Sequence, residues 1–149
     1  HQARLMQYVN NGGTLLVQYN TRNWISDVKT DIGPYPFEIT RNRVTDETAP
    51  IRFAKPDHRI LNSPNKITEK DFEGWVQERG LYFASTDDPA YEKVLVMNDP
   101  GEEENGGSLL IAKHGKGYFI YTGISFFRQL PAGVPGAYRL LANLLSVNK

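Results

Sequence analysis

Apolar positions change their period along this chain, and the changes predict its elements. Leu5, Met6 and Val9 share one helical face over Ala3 to Asn10. Asn11-Gly12-Gly13 supplies a C-terminal stop. Thr14 to Tyr19 is then a nearly unbroken apolar run, the pattern of a strand covered on both faces. Helix, glycine stop and buried strand make half of a βαβ unit, and the preceding strand is missing. The chain therefore reads as a fragment of a longer polypeptide.

Asn20 to Arg43 is irregular, with Gly33-Pro34-Tyr35-Pro36 as a breaker. Short strands are expected around Phe37-Glu38-Ile39, Ala49 to Phe53 and Leu81-Tyr82-Phe83, and a turn or helical piece at Asp57 to Asn62. Thr68-Glu69-Lys70-Asp71 resembles a capping box with Asp in the acidic position. Phe72, Trp75 and Val76 follow at helical spacing and predict a helix stopped by Gly80. Val94 to Met97 reads as a strand, and Asp99 to Gly107 as an acidic loop. Ser108 to Ala112 and Tyr118 to Thr122 form a hairpin around Lys113 to Gly117, where glycine supplies positive φ. Pro135-Gly136 opens a last helix, striped by Leu140, Leu141, Leu144 and Leu145. Together these predict an α/β sandwich with a mixed sheet and one hairpin at its edge.

The 149 residues fit one domain. No cysteine is present, which removes thiol nucleophiles and thiolate-bound metals. Basic and acidic residues balance at 17 each, and the densest basic set is the loose group Arg41, Arg43, Arg52 and Lys55. That argues against nucleic acid, whose binding needs a basic footprint. No apolar run approaches the ~20 residues of a membrane span.

Three stretches resemble a known family. They are Asn11 to Thr21; Asn65 to Thr68 with Asp71-Phe72-Glu73-Gly74-Trp75-Val76-Gln77-Glu78-Arg79-Gly80-Leu81-Tyr82-Phe83; and Gly117 to Gly123 with Phe126 to Gly133. Together they look like the glutamine-amidotransferase-like domain that follows the catalytic domain in some bacterial PIG-L/LmbE-type deacetylases. The resemblance implies one domain over residues 1–149 with a class I glutamine-amidotransferase-like fold, a flavodoxin-like three-layer sandwich lacking its first strands. It also implies an exported bacterial parent, periplasmic or at the cell surface, acting on N-acetylated sugars.

The chemistry of that family does not carry over. The zinc motif of the deacetylases has no counterpart here, and Asp57-His58 lacks a further ligand at a zinc-like interval. Amidotransferases use a Cys-His-Glu triad, with the nucleophile on a turn after a buried strand. Asn20-Thr21 stands at that turn, and Gly123-Ile124-Ser125-Phe126 stands where the His and Glu would follow. The resemblance thus implies a non-catalytic accessory domain that docks on the deacetylase portion, aids assembly or presents a glycan, with no cofactor and no metal.

Other candidate residues also have plainer roles open to them. Ser125 lacks the second glycine of a nucleophile elbow and reads as a turn serine. His58 beside Asp57 could be a general base in a hydrolase, or a hydrogen-bonded loop histidine; His114 reads as a solvated turn residue. Asp99, Glu102, Glu103 and Glu104 could hold Ca²⁺, but read better as a solvated charge run. Phe72 and Trp75 read as core. Trp24, Tyr35, Phe126, Phe127 and Arg128 are the candidates for an exposed surface that binds a partner or a glycan, the latter as a carbohydrate-binding module. Arg128 could instead cap the C-terminal carbonyls of a neighbouring helix or pair with a carboxylate. A sheet cut at its first strand would also leave an edge through which two copies could pair.

Overall fold

The computed structural model describes residues 2–18, 28–30 and 32–149. The chain is a mixed α/β protein built on a mixed sheet. Helix α1 (Gln2–Asn10) ends where the Gly12 and Gly13 amides bond back to the Val9 and Tyr8 carbonyls, with Gly12 at φ 116°. Strand β1 (Thr14–Gln18) follows and runs parallel to β9 (Gly117–Thr122), with Leu16 opposite Ile120. Strand β8 (Leu109–His114) pairs antiparallel with β9 through a tight turn that places Gly115 at φ 59°. Strand β6 (Glu92–Lys93) closes the order β1-β9-β8-β6. The hairpin therefore fills the centre of the sheet and not its edge. The reason lies in its composition: β8 and β9 are apolar on both faces and need cover on both. Among the described residues, β1 has a neighbour on one side only.

Alternation along these strands divides the core in two. Leu110, Ala112, Phe119 and Tyr121 pack with Phe37, Ile39 and Tyr91, with Met6 of α1 at the margin. Leu109, Ile111 and Ile120 face the opposite side, against Leu140 and Leu144 of α3 (Pro135–Leu145). Pro135 stands in the first turn of α3, where its missing N–H costs nothing. Leu145, expected on the buried stripe, is 51% exposed. Smaller ladders complete the frame. Strands β2 (Val28–Thr30), β3 (Phe37–Ile39) and β5 (Ala84–Ser85) form one antiparallel sheet, and β4 (Ile51–Phe53) pairs with β7 (Leu95–Met97) in another.

The segment 68–83 departs most from expectation. The capping box is real: Thr68 and Asp71 satisfy each other's backbone N–H groups. It opens only a one-turn 3-10 helix, Glu69–Phe72, because Glu73 is already extended, Gly74 has φ 76° and Gln77 has φ 64°. Phe72 and Trp75 are buried as expected, yet Val76 is 38% exposed. Their spacing marks one buried wall, not a helix. A strand at Leu81 to Phe83 is likewise displaced, with an isolated bridge at Gly80 and a ladder only from Ala84.

Candidate functional site

The turn at Gly74 sets Trp75 beside Phe72, with ring centroids 5.4 Å apart. The Trp75 indole N–H donates to the Asp71 carbonyl at 2.9 Å, fixing the ring on the short helix. Facing this pair is the approach to β4, Glu47 to Ile51. Arg79 ties the two walls together. Its Nε and Nη2 donate to the Ala49 carbonyl at 3.1 and 2.8 Å, and its Nη1 donates to the Phe72 carbonyl. The guanidinium carbon lies 5.7 Å from the Phe72 ring centre and 5.6 Å from that of Trp75. Arg79 is 5% exposed, and burial pulls its pKa down to about 10, so it stays cationic at neutral pH.

Between these walls lies a groove of about 480 Å³, within the ordinary range for ligand sites. Pro50, Ile51, Phe72 and Trp75 give it apolar surface. Glu47, Glu69 and Glu73 stand around it. None of the three makes an ion pair with any described residue. From the sequence, Phe72 and Trp75 read as core residues. The groove needs residues 47–51 and 69–79 to meet, and no local pattern announces that. Arg79, which joins the walls, stands between Glu78 and Gly80 in the sequence, and nothing there marks it for burial.

The residues proposed for an exposed surface are scattered. Phe126 is fully buried, which corrects the expectation: it opens the short helix α2 (Phe126–Gln129) and packs in the α3-side core. Phe127 is 41% exposed, with the Arg128 guanidinium carbon 5.0 Å from its ring centre. Arg128 pairs with Glu78, the carboxylate alternative foreseen for it. Tyr35 is half-buried elsewhere, edge-on to Tyr91 and His114, and its carbonyl accepts from the Tyr91 hydroxyl at 2.6 Å. Trp24 lies outside the described residues.

The residues weighed for chemistry hold the backbone. Ser125 is fully buried and donates to the Glu78 carbonyl at 2.8 Å, while Gln129 bonds to Ser125 and to both backbone groups of Val76. His58 caps the 3-10 helix Arg59–Leu61: its Nδ1 accepts from the Ile60 amide at 3.2 Å, and its Nε2 faces Glu92 at 3.2 Å. Asp57 is exposed beside it, and neither lines the groove. The general-base expectation thus meets a histidine with both ring nitrogens in use. His114 is the last residue of β8 and leans on Tyr35, so it is not a solvated turn residue.

The acidic loop is also structural at its root. The Asp99 carboxylate accepts from the Thr45 amide and hydroxyl and from the Asp46 amide, at 2.8 to 3.0 Å. Burial works to raise its pKa, but these hydrogen bonds, with Arg43 nearby, hold it below the usual aspartate value. Glu104 pairs with Arg52. Among the described residues, no group of three or more histidines and carboxylates is placed to hold a metal ion. No helix among them is long and apolar enough to cross a membrane. Compared with known families, with curated proteins and with solved structures, the chain matches none.

Proposed function

We propose that this chain is a non-catalytic accessory domain of a PIG-L/LmbE-type deacetylase, with a flavodoxin-like, glutamine-amidotransferase-like fold, and that it works by docking. The observation that carries the reading is the groove. It offers apolar surface and carboxylates that form no ion pair with a described residue, while the hydroxyl of Ser125 and the imidazole of His58 are engaged by the backbone. A buried serine with its proton on a carbonyl has neither the access nor the partner a nucleophile needs. The test is a turnover screen of the purified protein against amide, ester and N-acetyl sugar substrates. The expected outcome is no turnover above background. Turnover abolished by one substitution, such as Ser125→Ala or His58→Gln, would overturn the proposal.

A second reading, a carbohydrate-binding module, is favoured by the same juxtaposition of aromatic rings and carboxylate acceptors. Calorimetric titration with N-acetylated oligosaccharides separates the two. Saturable binding supports the glycan reading, and none at about 10 mM ligand, a free energy weaker than about −3 kcal/mol, removes it.

A further inference from the structure

The groove between Glu47–Ile51 and Glu69–Trp75 has a composition that selects its occupant. Of its lining residues three are carboxylates, Glu47, Glu69 and Glu73, and one is a cation, Arg79. That cation points inward: three of its N–H groups are spent on the Ala49 and Phe72 carbonyls, and its side chain is buried. The charge presented at the mouth is therefore net negative, and the chain as a whole is neutral. The apolar lining comes from exposed Pro50 and from the edges of Ile51, Phe72 and Trp75, each less than a tenth exposed. A long hydrocarbon stem ending in a cation satisfies both features at once. Arginine fits better than lysine, because its planar head is weakly hydrated and bonds carboxylates through several donors.

We infer that the groove is the docking site for a basic segment of a partner protein, anchored by an arginine side chain whose stem lies on Phe72, Trp75 and Ile51 and whose guanidinium meets Glu69 and Glu73. This rests on the docking reading above and names the chemistry of the partner. Acidic segments are repelled by the rim. A neutral sugar would use the rings but leave the carboxylates' charge uncompensated.

The probe is the peptide acetyl-Gly-Gly-Arg-Gly-Gly-amide, titrated into the full chain and read on the indole N–H signal of Trp75 in nitrogen-15 NMR spectra. Trp24→Phe assigns that signal. The expected result is a saturable shift with Kd of about 1 mM, modest because one side chain supplies the contact. The same peptide with citrulline, the uncharged isostere, should bind at least about fivefold more weakly, as should the arginine peptide to E69Q/E73Q. Raising salt from about 0.1 to 0.5 M should weaken binding further. Both glutamates are exposed, so an unchanged spectrum elsewhere certifies the variant's fold. No shift at about 10 mM peptide, equal binding of the citrulline peptide, or binding indifferent to E69Q/E73Q overturns the inference. So does an N-acetylated oligosaccharide that moves the Trp75 signal when the peptide does not. If the peptide fails while a deacetylase catalytic domain still binds, this inference falls and the docking reading stands.

Discussion

Asn143 shows how single polar side chains hold this fold. It has no exposed surface, and its amide makes four hydrogen bonds: from Nδ2 to the Ile60 and Asn65 carbonyls at 2.8 and 2.7 Å, and to Oδ1 from the Asn65 amide and side chain. Asn143→Ala strands buried backbone groups of Ile60 and Asn65, and should cost about 3 kcal/mol in denaturant unfolding. Asp99 makes a prediction about pH. Its folded pKa lies below the ordinary 3.8, so the ionised form favours the fold. That stability is complete above the unfolded pKa, and is lost as pH falls from about 4 through the folded value. Asp99→Asn should be about 2 kcal/mol less stable at pH 7, and should lose less stability than the parent between about pH 4 and 2. Thermal unfolding across that range measures both. Neither role was legible in the sequence. Asp99 stood in an acidic run that reads as solvated, and its partners Thr45 and Asp46 lie more than fifty positions away.

Among the elements, those governed by local chemistry were read well and those governed by distant contacts were not. The α1 stop at Gly12, the Pro135 start of α3, the Thr68–Asp71 capping box and the β8–β9 hairpin all follow from backbone preferences within a few residues. The helix expected after Asp71 failed because apolar spacing cannot distinguish a helical face from an irregular wall that leans on another segment. The backbone of Val76 bonds to the Gln129 side chain, 53 positions on. Close approach of two elements supplies a prediction here. Gly136, in the first turn of α3, lies so near the Asp71 carbonyl that an added Cβ would sit 1.7 Å from its oxygen. Arg139 of the same helix pairs with the Asp71 carboxylate at 2.7 Å. Gly136→Ala must push α3 off the Glu69–Phe72 helix, and should cost about 2 kcal/mol or more by thermal unfolding. Gly74→Ala is a useful contrast: nothing lies within 4 Å of its Cβ position, so only the strain of φ 76° is felt, about 1 kcal/mol.

At the scale of the molecule, the central hairpin divides two apolar cores, and the groove opens where the Glu47–Ile51 and Glu69–Trp75 segments meet across Arg79. The mixed α/β class was legible because the apolar runs of β8 and β9 demand cover on both faces; β1, expected to be covered likewise, is only partly buried. The candidate site was not legible. Residues chosen for aromatic exposure, Tyr35, Phe126 and Phe127, fell into three different environments, because exposure is decided by tertiary contacts that a sequence does not display. In a calorimetric titration of this chain against the catalytic domain of a PIG-L/LmbE-type deacetylase, the docking account predicts saturable binding at micromolar concentration, a free energy near −8 kcal/mol, weakened at least about tenfold in E69Q/E73Q. No heat of binding at about 100 µM would contradict the docking account, and binding that ignores the two substitutions would contradict its placement at the groove's carboxylates.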